Sequence, residues 1–469
     1  MNLDLQINYR TVWGESLHAV LTWHNKGGKE VQTELPLSTL NGETWRGSTM
    51  APANATSVTY RYAVCQNGEA TRNEWAFLPH HIELPKGINR IQAIDRWRDC
   101  PGNSYRYTSA FTEAFVRHTP TNTGKQTKEK GKQLVVRVLA PEVPEDQVLA
   151  MLGNHPSLGE WKQGQEVRMQ LIAPNEWQFR MDIEAVNGTL EYKFLTLDKQ
   201  SGEQRAWEIH ENRTLAMPHA EQNMVVAVED EPVQLPFAPW RGAGCVIPVF
   251  SLRSEQSFGI GDFGDLRRIV DWVALTGQRV LQILPINDTT MTGQWTDSYP
   301  YNSISIFALH PIYTDLNALP PLANSAMRTT YKAAQKKLNA LAQVDYEKVM
   351  DTKRNYLRRL FRQEWKKVKE SKAYKEFYKA NEEWLVPYAA FCYLRDLYGT
   401  PDFHRWKTLR NYNAASVKKL MKAGSASAEE MEENFYIQFI LHEQLSEVQH
   451  HARSKGIVLK GDIPIGISP

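Results

Sequence analysis

Residues 242–286 read GAGCVIPVFSLRSEQSFGIGDFGDLRRIVDWVALTGQRVLQILPI, and this stretch decides the fold of the second half of the chain. It begins and ends with runs of apolar residues that are typical of strands buried on both faces. Asp262 is the expected N-cap of a helix between the runs, and Gly277 is its expected stop. One face of this helix would carry the apolar residues Leu266, Ile269, Val270 and Val273. Strand, helix and strand in this order predict a right-handed βαβ unit in a parallel sheet.

A third strand of the same kind is predicted near the end of the sequence. Residues 455–467 read KGIVLKGDIPIGI, which is again a buried-strand pattern. The residues between the second and third strands, about 327–454, contain several amphipathic segments at helical spacing. The sequence from residue 240 onward therefore predicts a parallel sheet with a large helical insertion.

The first half of the chain shows short β-like segments separated by turns. These segments fill residues 1–118 and 134–225, and the polar, basic stretch at residues 119–133 is expected to be a linker. The two regions repeat each other, because five pairs of residues lie 132 positions apart: Trp45 and Trp177, Tyr60 and Tyr192, Arg61 and Lys193, Tyr62 and Phe194, and Trp75 and Trp207. The repeat predicts two related β-sandwich modules in tandem.

The composition restricts the classes of function. The chain has 469 residues, and its net charge of +2 provides no bulk attraction to nucleic acid or to a membrane. No signal peptide or membrane span is predicted, and the 14 tryptophans suit the binding of sugar rings as well as core packing. The four cysteines are widely spaced and form no CxxC pair: Cys65, Cys100, Cys245 and Cys392. This spacing argues against a zinc site or a disulfide scaffold and suits a reducing cytoplasm.

Some motifs have more than one interpretation. GIGDFG, residues 259–264, has the glycine spacing of a dinucleotide-binding loop, but Asp262 would repel a pyrophosphate there, so an oxidoreductase is disfavoured. Residues 353–379 are basic with one apolar face, and we favour a solvated helix over a nucleic-acid-binding one because glutamates interrupt the positive charge. His80–His81 and His450–His451 lack partners at metal-ligand spacing and are expected on the surface or in the core.

Four motifs of the second β region occur in a characteristic order: LGNHPSLGEW at residues 152–161, EYKF at 191–194, AWE at 206–208 and ENR at 211–213. This region resembles the family-20 starch-binding modules. The resemblance implies a principal glucan site made of Trp161, Lys193, Trp207 and Asn212. Two indoles would give an apolar platform for glucose rings, while the polar side chains bond the hydroxyls. The first region resembles the family less closely: it has no counterpart of LGEW and has His80 in place of Asn212, but Trp75 is a further candidate platform.

Six motifs run in order from about residue 240 to the last residue: IPVFSLRSEQSFGIGDFGDLRRIVDW, QILPIND, DSYPYNSISIFALHPIY, VDYEKVMDTKRNYL, WLVPYAAFCYLRD and GIVLKGDIPIGIS. This part of the chain resembles the amylomaltases, the 4-α-glucanotransferases of glycoside hydrolase family 77. The resemblance implies a (β/α)8 TIM barrel whose substrate-binding residues include Asp297, Ser298, Tyr301 and Asp462. Asp462 would lie at the carboxyl end of a barrel strand, where the active sites of such barrels are built.

The resemblance also implies the chemistry. Family members transfer α-1,4-glucan segments between maltose, malto-oligosaccharides and glycogen or starch through a covalent glycosyl-enzyme intermediate, without a cofactor or metal. Their nucleophile and acid/base motifs would follow Pro469, so we expect residues 240–469 to form an incomplete barrel that is inactive alone, the N-terminal part of a larger enzyme. The alternative is a non-catalytic α-glucan-binding protein. Neither interpretation includes nucleic acid or a membrane as a partner.

Overall fold

The chain divides into two compact units, Met1–Pro239 and Trp240–Pro469. The structure is a computed structural model that describes residues 1–116, 131–183, 188–216 and 219–467. The linker predicted at residues 119–133 lies almost wholly outside the described residues. No helix among the residues described is both long and apolar enough to cross a bilayer.

The described residues of the first unit form two sets of strands. The first set is β1 (Asn2–Asn8), β2 (Glu15–Asn25), β3 (Glu30–Pro36), β4 (Ser38–Thr39), β5 (Thr44–Met50), β6 (Ala55–Gln66), β7 (Glu69–Asn73), β8 (His80–Glu83) and β9 (Arg90–Asp95). A short helix, α1 (Ser109–Phe111), follows. The second set is β10 (Lys132–Leu139), β11 (Gln147–Gly153), β12 (Val167–Arg168), β13 (Gln170–Ala173), β14 (Glu176–Asp182), β15 (Thr189–Asp198), β16 (Gln204–Trp207), β17 (Arg213–Ala216) and β18 (Met224–Glu229).

The two sets have the same pairing pattern. β1 pairs with β5 in antiparallel and with β9 in parallel. In the same way, β10 pairs with β14 in antiparallel and with β18 in parallel. Likewise β6 pairs with β2, β7 and β8, and β15 pairs with β11, β16 and β17. Trp45 and Trp177 are each the second residue of their strand, and both are at most 5% exposed. The 132-residue repeat in the sequence therefore corresponds to a repeated topology with equivalent core tryptophans.

The two sets share one sheet, which the sequence did not predict. β9 pairs with β18 in parallel, so eight strands run in the order β13-β14-β10-β18-β9-β1-β5-β4. Alternate residues of a strand point to opposite faces. Val225 and Ala227 of β18 accordingly pack in the core of the first set, while Val226 and Val228 pack in the core of the second. The sequence MVVAVE of β18 is apolar on both faces because it serves both cores.

The second unit is built around three parallel strands. β19 (Gly244–Val246), β20 (Val280–Gln282) and β22 (Val458–Lys460) are neighbours in that order, as the three apolar runs predicted. A further short parallel pair joins β21 (Asn302–Ser303) to β23 (Gly466–Ile467). The helices are α2 (Phe263–Leu275), α3 (Ser325–Asn339), α4 (Tyr346–Glu370), α5 (Lys372–Tyr398), α6 (Ala414–Leu420) and α7 (Ala426–Ser454). The predicted helical insertion therefore corresponds to α3–α7.

The ends of the helices follow local capping chemistry. Asp262 is the N-cap of α2, and Gly277 lies just after the helix with φ +75°, as predicted. The prediction of one helix over 353–379 is wrong, because Ser371 ends α4 and its side chain caps the first turn of α5. A serine side chain accepts a hydrogen bond from the free amides of a helix start, and this favours a new helix over a continuous one. The predicted apolar face of α4 is confirmed as core: Leu357, Leu360 and Phe361 are at most 3% exposed.

Candidate glucan-binding sites in the two units

Tyr301 and Asp462, which are predicted to bind sugar, lie next to each other in the second unit. The Tyr301 hydroxyl donates a 2.8 Å hydrogen bond to Asp462 Oδ2, and both side chains are partly exposed. Asp462 follows β22, and Tyr301 precedes β21, whose pairing with β23 fixes the two segments side by side. The bond to Asp462 is the largest cause that raises the pKa of the Tyr301 hydroxyl. The pair is a polar surface with free acceptor positions for sugar hydroxyls.

Asp297 and Ser298 lie in the same loop but in different environments. Asp297 is 7% exposed, and its Oδ2 accepts hydrogen bonds from the backbone amides of residues 291, 292 and 293 at 2.7–3.0 Å. Its carboxylate therefore fixes the conformation of the loop. Ser298 is exposed and lines, with Asp297, a cavity of about 290 Å³.

This cavity contains side chains that the sequence did not single out. His310 is 4% exposed, and its Nδ1 accepts from the Ile312 amide, so Nε2–H donates to the Tyr346 hydroxyl at 3.0 Å. Burial lowers the pKa of His310, which keeps the imidazole neutral. Trp295 adds an indole that is 67% exposed. A neutral polar group beside an exposed aromatic ring suits an uncharged, hydroxyl-rich ligand.

The GIGDFG segment does not form a phosphate site. The Asp262 carboxylate accepts from the amides of Gly264 and Asp265, the donors that a phosphate would use. Its Oδ2 lies 3.3 Å from Lys353 Nζ, which also donates to the carbonyls of Ile312 and Thr314. Burial, opposed by Lys353, raises the pKa of Asp262 to about 7. The segment is a helix start joined by an ion pair to α4.

In the first unit, the turn with LGEW has an unusual backbone. Glu160 and Trp161 have φ of +50° and +59°, which non-glycine residues seldom adopt. Gly159 precedes them at φ +76°, and a Cβ there would lie 2.4 Å from the Gln165 carbonyl oxygen. Trp161 is nevertheless 37% exposed. Strained residues persist where the surroundings hold them, and they concentrate at functional sites.

The other three predicted glucan-binding residues lie along the outward face of β15. Tyr192 and Phe194 point into the core, so Lys193 points away from it and is half-buried. Trp207 pairs with Leu195 and packs half-buried against the small apolar cluster around Leu195. Asn212 is exposed, and its amide donates to the Glu191 carboxylate at 2.8 Å.

Trp75 of the first set is half-buried, and its ring contacts the rings of Phe77 and Tyr107 at 5.6 and 5.5 Å. His80, which stands in place of Asn212, is fully buried. Its Nε2 lies 3.0 Å from Glu74, and its Nδ1 lies 3.0 Å from Glu229 and 3.7 Å from Asp95. The polar role predicted for Asn212 therefore has no counterpart at His80.

The group of His80, Asp95 and Glu229 has donor atoms close enough together to hold a metal ion. Two buried cations already occupy this environment, because Arg98 bonds Glu229 at 2.8 Å and Arg137 bonds Asp95 at 3.0 Å. Burial and Arg98 lower the pKa of His80, but the three carboxylates outweigh both and raise it to about 9. A protonated imidazole cannot ligate a metal, so the group fits a buried ion cluster.

Comparison with known families finds a similarity in each unit. Residues 247–469 match the family model described as 4-alpha-glucanotransferase, which is glycoside hydrolase family 77. These residues are similar to that family, and we call them the family 77 domain after this similarity. Residues 133–227 match the starch binding domain of family 20, which includes Trp161, Lys193, Trp207 and Asn212. Tyr301 and Asp462, and the cavity beside Ser298, all belong to the family 77 domain.

The chain is also similar to individual proteins. The chain is 30% identical over 485 residues to 4-alpha-glucanotransferase DPE2 of Oryza sativa subsp. japonica, covering 100% of this chain and 50% of that protein. It is 35% identical over 226 residues to a 4-alpha-glucanotransferase of Chlamydia muridarum, covering 48% of this chain and 41% of that one. Among solved structures, an amylomaltase from Streptococcus agalactiae in complex with acarbose has TM-score 0.41 and 22% identity, covering 49% of this chain and 44% of that one. The chain spans about half the length, or less, of these relatives.

A further network of the family 77 domain could not be read from the sequence. Asp288, which is 1% exposed, accepts from the Tyr388 hydroxyl at 2.7 Å and from the Thr290 hydroxyl at 2.6 Å. Arg395 donates to the Thr290 carbonyl at 2.6 Å. These contacts fasten the loop after β20 to α5. No local pattern in the sequence connects Asp288 with Tyr388, because they are 100 positions apart.

Proposed function

We propose that the protein acts as a 4-α-glucanotransferase on α-1,4-glucans. It would transfer segments between maltose, malto-oligosaccharides and glycogen or starch by a retaining mechanism with a covalent glycosyl-enzyme intermediate. The match of residues 247–469 to the glucanotransferase family supports this proposal most directly. The starch binding domain at residues 133–227 supports an α-glucan as the substrate. The roles of individual residues, given below, are part of the proposal.

In the family 77 domain, Tyr301 and Asp462 would bind hydroxyl groups of one glucosyl unit. The carboxylate of Asp462 can accept from a sugar hydroxyl while it accepts from Tyr301, since it has about four acceptor positions. Ser298 would bind from the rim of the neighbouring cavity. Asp297 would contribute by fixing the loop that carries Ser298, because its Oδ2 accepts from three backbone amides.

The Tyr301 assignment is tested by Tyr301→Phe, which removes one hydroxyl and keeps the ring. We expect maltotriose affinity to fall by about 0.5–1.5 kcal/mol, the usual value of one hydrogen bond, measured by isothermal titration calorimetry. Tyr299→Phe is the matched control, because Tyr299 is a 62% exposed neighbour. Equal affinities of the two variants would refute the role of Tyr301.

In the first unit, Trp161 and Trp207 would form the glucan platform, with Lys193 and Asn212 at its polar edge. Trp161→Ala and Trp207→Ala should each weaken binding of β-cyclodextrin by about 1–3 kcal/mol. Trp272→Ala, which removes a 48% exposed indole from α2, is the control and should have no effect. Unchanged affinity in both platform variants would assign these indoles to packing alone. We propose a weaker site of the same kind at Trp75.

The transferase activity is tested by disproportionation of maltotriose, with released glucose as the readout. The protein should carry out this reaction. Binding of maltotriose without turnover would favour the alternative, a non-catalytic α-glucan-binding protein.

We further propose that the chain consists of a starch-binding-like module (1–118), a linker (119–133), a starch-binding module (134–225) and the first part of a (β/α)8 barrel (240–469). The repeated strand pairing supports the two modules, and the parallel order β19-β20-β22 supports the barrel. We propose the cytoplasm as its location. All four cysteines are unpaired thiols, as is usual in a reducing compartment.

A further inference from the structure

The outward face of the first strand set carries three different metal-ligand side chains close together. His18 of β2, Glu34 of β3 and Cys65 of β6 have ligand atoms within 4.8 Å of one another. β2 lies between β3 and β6 in the sheet, and Cys65 is a free thiol. Among the described residues, no lysine or arginine forms an ion pair with Glu34. The group therefore differs from the cluster around His80, where two arginines already bond the carboxylates.

Strand register places the three side chains on the same face of the sheet. Cys65 is opposite Ser16, two residues before His18. Glu34 is opposite Val20, two residues after His18. Diagonal neighbours of this kind lie within reach of long side chains. The residues next to the three ligands in their strands lie in the core or pack against it, so the ligands point outward: Leu17, Ala19, Leu35 and Val64.

The imidazole of His18 is oriented by Ser16. The Ser16 hydroxyl donates to the Cys65 carbonyl at 3.4 Å, so its oxygen accepts from His18 Nε2–H at 3.1 Å. His18 Nδ1 then faces Glu34 Oε1 at 2.5 Å. A nitrogen lone pair and a carboxylate this close need a cation between them, either a proton or a metal ion. A hydrogen bond that fixes the other ring nitrogen is usual for metal-binding histidines.

A metal ion would displace only weak interactions at this position. The side chains of His18 and Glu34 are 23% and 60% exposed, and an exposed ion pair contributes only about 0–1 kcal/mol. Cys65 is 7% exposed, and burial together with the Glu34 carboxylate raises the pKa of its thiol. The thiol proton would leave to solvent when the sulfur bonds to the metal.

The equivalent positions of the second strand set are apolar. At the repeat spacing of 132 residues, His18 and Cys65 correspond to Ala150 and Leu197, and the strands that carry them pair in the same register. Ala150 and Leu197 both belong to the small apolar cluster around Leu195. An imidazole and a thiol therefore replace apolar packing in the first set, which a purely structural face would not need.

We propose that His18 Nδ1, the Glu34 carboxylate and the Cys65 thiolate form a site for Zn²⁺, with water as the fourth ligand. Zinc binds these three kinds of ligand in tetrahedral geometry, whereas Mg²⁺ and Ca²⁺ prefer oxygen ligands alone. The site would fasten the edge strand β3, whose residues are mostly exposed, to β2 and β6. It is independent of the glucan sites proposed above. Only strand pairing brings the ligands together, so their spacing in the sequence does not show them.

The test measures binding of Co²⁺ and Zn²⁺ to the full 469-residue chain. Co²⁺ binds the same kinds of ligand as Zn²⁺, and a bond to a thiolate gives it a charge-transfer absorption band. The natural chain should show this band, and Cys65→Ser should abolish it. Cys100→Ser, which removes an exposed thiol, should retain it. In titration calorimetry, His18→Gln and Glu34→Gln should each weaken Zn²⁺ binding roughly tenfold or more.

His24→Gln is the matched control for His18→Gln. His24 Nδ1 pairs with Glu30 at 3.2 Å on the same two strands, and it lies outside the group of three ligands. This variant should leave Zn²⁺ affinity unchanged. Absence of the band, or a band that Cys65→Ser leaves intact, overturns the proposal. Equal losses of affinity in His18→Gln and His24→Gln would overturn it too, because they would indicate loose binding by surface histidines. Circular dichroism without metal verifies that the variants are folded.

Discussion

Replacing His80 by glutamine should remove a buried positive charge that stabilises the first unit. The imidazole is fully buried between Glu74, Glu229 and Asp95, and it also contacts the rings of Tyr60 and Tyr62 at 5.1 and 5.4 Å. Arg98 and Arg137 complete the cluster by bonding the same carboxylates. Glutamine keeps a polar side chain of similar length but cannot carry the charge.

The magnitude follows from the pKa of His80, which is raised from 6.5 to about 9 in the folded protein. One pKa unit corresponds to 1.36 kcal/mol, so the charged imidazole contributes about 3 kcal/mol. Because the folded pKa is higher than the unfolded one, this contribution is complete below pH 6.5. It is lost as the pH rises through about 9. Any loss of packing in His80→Gln would be the same at every pH.

The assay is urea unfolding of the first unit at pH 6 and pH 10, for the natural chain and for His80→Gln. The natural chain should exceed His80→Gln in free energy of unfolding, and this difference should be about 3 kcal/mol larger at pH 6 than at pH 10. His81→Gln is the control, because His81 is partly exposed and its ring pairs with the exposed Glu83. This substitution should change stability by less than about 1 kcal/mol. A difference for His80→Gln that is equal at both pH values would refute a charged His80.

Two further substitutions test contacts elsewhere in the chain. Lys353→Met removes the cation beside the buried Asp262 and the donor to the carbonyls of Ile312 and Thr314, and should destabilise the second unit by about 3–5 kcal/mol in urea unfolding. Lys353→Met with Asp262→Asn should recover part of that loss, and a double variant no more stable than Lys353→Met would contradict the ion pair. Gly159→Ala would place a Cβ 2.4 Å from the Gln165 carbonyl oxygen, which would displace the turn that carries Trp161. Binding of β-cyclodextrin should therefore weaken by about as much as in Trp161→Ala. Gly164→Ala, with φ +87° but open space around it, should leave this binding intact.

Local signals in the sequence predicted local structure well. The N-cap at Asp262, the stop at Gly277 and the three parallel strands follow from residues that are close together in the chain. The repeat at a spacing of 132 residues predicted the duplicated strand order. Ser371 was a readable signal that was missed, since serine is among the preferred N-cap residues.

Contacts between distant residues could not be predicted in the same way. Tyr301 and Asp462 are 161 positions apart, and the resemblance to a family named both residues without the bond between them. The charged cluster around His80 gathers carboxylates from three separate strands and loops, and only the pairing of β9 with β18 brings Glu229 to it. Asp297 differs from these residues, because its partners are close in the sequence. Its carboxylate accepts hydrogen bonds from backbone amides of its own loop.

The sheet shared by both strand sets has a consequence for the order of folding. β9 is 129 or more residues away from its neighbour β18, and the core of the first set includes Val225 and Ala227 of that strand. During synthesis, the first set cannot close its core until the ribosome has released residue 229. Contacts between such distant residues form slowly, because a long loop must close first. β9 would remain an unpaired edge during that interval, so the nascent chain needs protection from aggregation until β18 is inserted.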